Sequence, residues 1–184
     1  MYTAVDLLKH ATQPLLTLVA KTTLWASPEV YKRLLEQSGS GVWYPNARRF
    51  KKGVGEIKGW AENGDRLDDN TYANFAIKKA LVGTNRKLLS GFSVCHVWPK
   101  TCYDKRYHTS IPNLVLMPSS LSSLSDFHPE IQLALQFHSY ELYRWYPGSA
   151  IRPRKPKSYP SKWLKPLPFT PAVESALNRR QYKG

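Results

Sequence analysis

The sequence predicts an α+β fold: a mainly helical domain that carries a hairpin of two strands followed by a helix, and a basic, proline-rich C-terminal arm. Three observations lead to this prediction. Apolar residues recur at helical spacing in several segments before residue 90. Two short runs with strand composition enclose a polar loop after residue 91, and prolines alternate with Arg or Lys after residue 147. We therefore divide the chain into 1–90, 91–146 and 147–184.

The N-terminal part is predicted to be helical. Residues 3–12 and 15–25 carry apolar positions at helical spacing, and Pro14 falls where one helix would stop and the next would start. A further helix follows Ser27, which is a good N-cap, with Pro28 at its first position and "GSG" at its end. Another begins after "LDDN", at residue 71.

Residues 38–66 are rich in Gly and in basic residues with interleaved aromatics, and we expect loops here. Such loops suit contact with a phosphate backbone, and the alternative is a solvated loop whose aromatics are tucked into the core. The cations expected to bind DNA in this segment are Arg48, Arg49, Lys51 and Lys52.

The hairpin is predicted from "GFSVCHVW" and "IPNLVLMP", which have strand composition and are bounded by Gly or Pro. If they pair antiparallel, His96 at the end of the first strand lies near Asn113 at the start of the second. "PSSLSSLSDFHPE" supplies one or two helical turns, and a long helix starts at Pro129. The order is strand, loop, strand, helix.

These residues resemble the HNH endonucleases, also called ββα-metal or His-Me finger nucleases, and in particular the restriction-type members. The resemblance covers about residues 91–128 and is carried by "CHVWP" and by Asn113 in "NLVLMP" leading into a helix. It implies a metal-dependent endonuclease that hydrolyses phosphodiester bonds in double-stranded DNA. His96 would be the general base, since a neutral imidazole can take a proton from water. Asn113 would tie the loop backbone and hold the imidazole in place.

The resemblance also implies one divalent cation, Mg²⁺ in the first place, or Mn²⁺ or another ion. Two positions depart from the family pattern. Cys95 stands where an acidic or imidazole ligand is usual, and Ser122 stands where the last His is usual. We expect Asp126 to replace that ligand, followed by His128 and Asp104. The alternatives are that Asp126 or His128 only caps the long helix, and that His96 is a core histidine.

The net charge of +14 and the pI of about 9.8 indicate a polyanionic partner, most simply nucleic acid, although a basic composition can also serve solubility alone. The cations expected to bind DNA in the hairpin loop and the C-terminal arm are Lys105, Arg106, Arg152, Arg154, Lys155 and Lys157. The alternative function is a non-catalytic nucleic-acid-binding protein built on a degenerate hairpin.

Motifs of other enzyme classes are missing from the sequence. It contains no G-x-x-x-x-G-K-S/T, G-x-S-x-G, H-E-x-x-H or paired C-x-x-C motif. Two cysteines are too few for a disulfide scaffold, and Lys9, Pro14 and Lys21 interrupt the apolar N-terminal segment. We expect a cytoplasmic protein without a membrane span. Two-fold symmetric sites would favour a homodimer.

Overall fold

The computed structural model describes residues 4–51, 55–83 and 89–179, and the structural statements below refer to these ranges. The predicted α+β class is confirmed, with six α-helices and two small sheets in the described ranges. The helices are Ala4–Thr22 (α1), Pro28–Ser38 (α2), Thr71–Val82 (α3), Leu124–Phe127 (α4), Pro129–Tyr143 (α5) and Pro171–Asn178 (α6). The strands are Asn46–Arg48 (β1), Glu56–Ile57 (β2), Trp60–Ala61 (β3), Arg66–Asp68 (β4), Phe92–His96 (β5) and Leu114–Pro118 (β6).

α1 is one continuous helix that contains Pro14, so the prediction of two helices separated at this residue was wrong. A proline inside a helix costs about 3 kcal/mol, because it removes one hydrogen bond and crowds the preceding turn. The helix continues because Leu16, Val19 and Ala20 beyond the proline are fully buried in the core. Burying a side chain of the size of Leu or Val contributes roughly 1.5–3 kcal/mol, so tertiary packing outweighs the local cost.

α2 begins and ends as its sequence predicts. The Ser27 hydroxyl accepts a hydrogen bond from the backbone N–H of Glu29 at 3.2 Å, and Pro28 occupies the first turn. Gly39 ends the helix with φ of 66°, a left-handed conformation that glycine adopts without steric cost. Val30 and Leu34 form the buried stripe.

The antiparallel pair β5–β6 lies at the centre of the molecule. Its register places Cys95 opposite Val115 and His96 opposite Leu114. The β6 residues from Leu114 to Met117 are fully buried, and Leu24 exchanges backbone hydrogen bonds with Leu116 on the other edge of β6. Because β6 has partners on both edges, it holds β5 and the end of that strand in a fixed position.

The helices that follow the hairpin pack against it. α4 and α5 are joined at His128, the residue before Pro129. α5 buries Ile131 and Leu135 in the core, and the Ser139 hydroxyl donates a 2.6 Å hydrogen bond to the carbonyl of Pro112. This bond connects the long helix to the backbone at the start of β6.

Residues 38–66 were expected to be loops, but the segment 46–68 contains the second sheet, in the order β1-β4-β3-β2. β1 and β4 are parallel, with Arg48 opposite Asp68, and β3–β4 is antiparallel with Asn63 and Gly64 in its connection. The expectation of loops alone was therefore wrong. Strands of two or three residues are too short to show the alternation from which strands are predicted.

The proline-rich segment 151–170, named here the C-terminal strap, contains neither helix nor strand, as its repeated prolines predict. It lies along the helices. The backbone N–H of Leu164 donates to the carbonyl of Ala20 at 2.8 Å, and that of Leu167 donates to Trp25 at 2.9 Å. The Trp163 ring stacks on the His138 ring with centroids 4.1 Å apart. The segment is thus attached to both α1 and α5.

α6 follows the strap and was not anticipated. Thr170 caps it, Pro171 is its first residue, and Val173, Ala176 and Leu177 form the buried stripe. At the end of α3, a Cβ added to Gly83 would lie 2.5 Å from the carbonyl oxygen of Ala172. Since that distance is too short for any side chain, the approach of the two helices requires glycine there.

None of the helices in the described ranges combines the length and apolar character that crossing a membrane requires.

Candidate active site around His96

His96 is the last residue of β5, and its side chain is 4% exposed. Its ring Nε2 lies 2.9 Å from the carbonyl oxygen of His108. A carbonyl can only accept a hydrogen bond, so Nε2 carries the proton in the neutral ring. Nδ1 is then the nitrogen with a free lone pair. The hairpin backbone therefore selects the tautomer in which Nδ1 can accept a proton.

The surroundings of His96 keep its ring neutral. Burial lowers the pKa of His96 to about 3, with smaller contributions in the same direction from His108 and Arg48. The hydrogen bond to the His108 carbonyl acts in the opposite direction, but it is weaker than the effect of burial. At neutral pH the imidazole is uncharged and able to accept a proton, although this low pKa also makes it a weak base.

A buried His–Asp pair packs against the His96 ring. The His108 ring stacks on the His96 ring, with centroids 5.2 Å apart and planes 20° from parallel. His108 is fully buried, and its Nε2 lies 3.1 Å from a carboxylate oxygen of Asp68 in β4. Because the carbonyl of His108 also accepts from His96, fixing His108 fixes the acceptor that orients His96.

Asn113 is fully buried and connects both ends of the hairpin loop, residues 97–113. Its side-chain oxygen accepts a 2.9 Å hydrogen bond from the backbone N–H of Trp98. Its amide nitrogen donates to the carbonyl of Tyr107 at 2.9 Å and to the Thr101 hydroxyl at 3.0 Å. The amide thus ties together the backbone of the loop that contains His108, which is the contact that the resemblance implied for this residue. Its contribution to catalysis stays a prediction.

His96 forms part of the wall of an open cavity of about 270 Å³. The wall comes from β1, β5, the turn before α3 and the segment that contains α4. Its residues are Arg48, Asn70, Ser93, Val94, Cys95, His96, Ser122, Ser123, Ser125, Asp126 and Phe127. A cation, a carboxylate and a neutral imidazole therefore meet at one cavity, from three segments far apart in the sequence.

Two of these cavity residues, Asp126 and Cys95, have perturbed acidities. Partial removal from water raises the pKa of Asp126, and the charge of Arg48 opposes this effect. Burial raises the pKa of the Cys95 thiol to about 11, so the sulfur is protonated at neutral pH. Its Sγ lies 3.7 Å from the carbonyl of Ser122, which identifies Cys95 as a packed residue of the cavity wall.

The other two predicted metal ligands lie elsewhere. His128 is buried at the N-cap position of α5, makes no side-chain capping bond there, and does not line the cavity. Asp104 is bound by the Arg106 side chain through two carboxylate oxygens and is also outside the cavity wall. Asp126 and His96 thus line the same cavity, whereas His128 and Asp104 lie outside its wall.

The predicted DNA-binding cations differ in their surroundings. Three form ion pairs: Arg49 with Asp69, Lys105 with Asp65, and Arg106 with Asp104. Arg48 lines the cavity, Lys51 is exposed, and Lys52 lies outside the described residues. The strap cations Arg152, Arg154, Lys155 and Lys157 are exposed, and Arg152 lies 5.1 Å from the ring centre of Tyr140.

The side chains around the cavity limit the kind of divalent cation that could bind there. No group of three or more His, Cys, Asp or Glu side chains in residues 4–51, 55–83 and 89–179 is arranged to hold a metal ion. Mg²⁺ is commonly bound by one or two carboxylates, with waters and substrate phosphate oxygens completing the shell. Asp126 fits that kind of site. The cavity does not fit Zn²⁺ held by thiolates.

Sequence reasoning missed Asp68 and the position of Arg48. Asp68 lies in β4, and nothing in its neighbourhood marks it as a partner of His108. Arg48 was named only as one of several loop cations, although the pairing of β1 with β4 aligns it with Asp68. Both reach the site through a sheet that the sequence did not predict.

Comparison of the chain with protein-family models, with curated proteins and with solved structures found no match.

Proposed function

We propose that this protein is a metal-dependent endonuclease that hydrolyses phosphodiester bonds in double-stranded DNA. The observation that carries the proposal is the setting of His96: a neutral imidazole, held through Nε2 by a backbone carbonyl, in the wall of a cavity shared with Arg48 and Asp126. The chain order of β5, β6 and α4 supports the HNH-like motif, and the net charge of +14 supports a polyanionic substrate.

The roles of the side chains follow from their chemistry. His96 Nδ1 takes the proton of a water that attacks the phosphorus. The Arg48 guanidinium binds a non-bridging phosphate oxygen and offsets the charge that develops in the transition state. Asp126 would hold Mg²⁺, which when bound supplies further charge stabilisation at the phosphate and the leaving oxygen. Asn113 and the His108–Asp68 pair keep the imidazole oriented.

The finer features of the function are part of the proposal. We propose sequence-specific cleavage of the restriction type by a homodimer in which each subunit cuts one strand, because two-fold protein symmetry matches palindromic sites. The exposed cations of the strap and Lys51 would contact phosphates outside the cut site, giving affinity that falls steeply with salt.

A second function has a specific observation in its favour. The described residues provide a single cavity carboxylate and lack a three-ligand metal group, and Ser122 stands where the family has its last His. A hairpin of this kind that had lost catalysis would still present Arg48 and the exposed cations to nucleic acid. The alternative is therefore a non-catalytic nucleic-acid-binding protein.

Cleavage of defined duplex DNA in Mg²⁺, in Mn²⁺ and in EDTA separates the two functions. The variants are His96→Gln, Asp126→Asn and, as matched control, His128→Gln, which changes a buried His outside the cavity. A nuclease gives discrete, metal-dependent fragments, and His96→Gln loses about 10²–10⁴-fold in rate, as expected for a general base. Asp126→Asn is expected to require more metal, whereas His128→Gln cleaves like the native chain.

Salt-dependent DNA binding without cutting by the native chain, in every metal, would reject the nuclease and support the binding protein. Cleavage that persists in His96→Gln would reject His96 as the base. Circular dichroism of each variant verifies that the fold is retained.

A further inference from the structure

One aromatic side chain lies in the cavity wall, and two others lie outside the wall, one of them close in sequence to the wall residue Arg48. Phe127, the last residue of α4, lines the cavity and is 79% exposed. Phe50 is 82% exposed and follows Arg48 by two residues, and its ring lies 5.4 Å from that of the exposed Tyr103. Arg48 thus has an exposed aromatic ring nearby in its own segment, and another lines the cavity in which it lies.

Core packing does not account for these rings. Exposing an aromatic ring forfeits roughly 1.5–3 kcal/mol relative to burying it, so a ring exposed to this degree contributes little to folding. Phe127 stands among polar neighbours, since most of the cavity wall consists of serines, Asp126, Arg48 and His96. A flat, apolar surface beside a cationic phosphate site matches one ligand, a nucleotide whose base is free to stack.

Charge complementarity identifies the same ligand. The backbone of a nucleic acid would lie on Arg48 and on the exposed Lys51, and the bases on either side of the bound phosphate would then face the aromatic rings. In an intact duplex the bases are stacked on each other, so their faces are not accessible to a protein side chain. Only a strand whose bases have separated from their neighbours offers a face to Phe127.

We infer that Phe127 and the Phe50–Tyr103 pair are stacking platforms, and that the substrate is duplex DNA that is locally unstacked next to the scissile phosphate. The inference rests on the proposed function in one respect, that this DNA is a substrate. The predicted binding preference does not depend on cleavage. Phe127 is then the residue that determines specificity for unstacked DNA.

The test measures binding without chemistry. Fluorescein-labelled DNA of one mixed sequence is prepared as a perfect duplex and as the same duplex with three unpaired central nucleotides. Anisotropy titrations in EDTA at several salt concentrations then compare the native chain with Phe127→Ala, Phe127→Trp and Leu133→Ala. Leu133 is the matched control, because it is an exposed apolar residue of α5 outside the cavity wall.

The native chain is expected to bind the bulged duplex about tenfold more tightly than the perfect one, within the range measured for single base–aromatic contacts. Phe127→Ala should lose this preference without changing the salt dependence, since the ring carries no charge. Phe127→Trp and Leu133→Ala should keep the preference. Arg48→Ala, in contrast, should reduce the salt dependence.

Equal affinity of the native chain for the two duplexes would overturn the inference, and so would a preference that survives in Phe127→Ala. The outcome is separable from that of the cleavage assay. If the protein never cuts DNA but shows a preference that depends on Phe127, the stacking site is supported and only the nuclease proposal is rejected. If the protein cuts DNA but shows no preference for the bulged duplex, only the stacking site is rejected.

Discussion

The hairpin loop and the C-terminal strap are both irregular segments, but different forces hold them. In the loop, buried polar groups bond to backbone atoms: Asn113 to Trp98 and Tyr107, and His96 to His108. In the strap, rings pack against the helices, two backbone hydrogen bonds join it to Ala20 and Trp25, and side-chain hydrogen bonds join Ser158 and Tyr159 to the surface of α5. Hydrogen bonds specify direction whereas apolar contacts tolerate adjustment, so the loop is suited to orienting a reactive group and the strap is suited to covering a core.

Replacing Asn113 should have the largest effect on stability. Asn113→Ala leaves the buried Trp98 N–H without its acceptor and removes two further hydrogen bonds, to the Tyr107 carbonyl and the Thr101 hydroxyl. An unsatisfied buried group costs roughly 1–3 kcal/mol and each further lost hydrogen bond roughly 0.5–1.5 kcal/mol, so we expect a loss of about 4 kcal/mol in the free energy of unfolding, measured with urea. Asn63→Ala, in an exposed turn, is the control. A loss below about 1 kcal/mol would show that the loop does not depend on this amide.

Trp163→Ala should have the next largest effect, because it removes the ring that stacks on His138 and contacts Trp25. Trp163 is half-buried, so we expect a loss of about 2–3 kcal/mol, below the cost of truncating a fully buried Trp. Compared with Trp163→Ala, the variant Trp163→Phe should recover most of the lost stability, since packing does not require one direction of contact. Compared with Asn113→Ala, the variant Asn113→Asp should recover little. Equal recovery in both would remove the contrast between the two segments.

Acid should weaken the attachment of the strap through His138. Burial lowers the pKa of His138 to about 4, below the ordinary value near 6.5. The folded state therefore binds this proton less readily than the unfolded state, so stability is full above about pH 6.5 and falls as the pH is lowered toward 4.

Between pH 7 and pH 5 this group alone should lower the free energy of unfolding by about 2 kcal/mol. His138→Phe should show a smaller decrease over the same range, measured by urea unfolding at each pH. Parallel decreases in both chains would assign the pH dependence to other groups.

The Arg106–Asp104 pair should have the smallest effect. The Arg106 guanidinium is exposed to solvent, and water and salt screen its attraction to the carboxylate. Arg106→Ala is expected to leave the melting temperature unchanged. Asp104→Ala should lower it slightly, since the carboxylate also accepts from the backbone N–H of Arg106. A clear decrease in the arginine variant would mean that surface charge pairs contribute to holding the loop.

The sequence indicated the helices and the hairpin where local signals are strong. α2 has both caps in its sequence, and β5 and β6 have strand composition bounded by Gly and Pro. α6 could also have been found, because Thr170, Pro171 and its apolar stripe are an ordinary helix start. The continuity of α1 through Pro14 could not have been predicted, since it depends on packing against segments distant in the chain.

The candidate site was predictable only in part, for the same reason. His96, Asn113 and Asp126 lie in or beside the hairpin, so local order was enough to select them. Arg48 and Asp68 enter through pairing of β1 with β4, which no local pattern indicates. The exclusion of His128 and Asp104 depends on side-chain contacts, which spacing alone does not determine.

The docking of the strap has a consequence for the synthesis of the chain. α1 and Trp25 are synthesised well before their partners Trp163, Leu164 and Leu167, which lie more than 130 residues later in the chain. During translation the surface around Trp25 therefore remains uncovered while the hairpin and α5 are added. Exposed apolar surface of this kind is prone to association. We expect chains arrested before the strap to be held by chaperones, and released when it emerges.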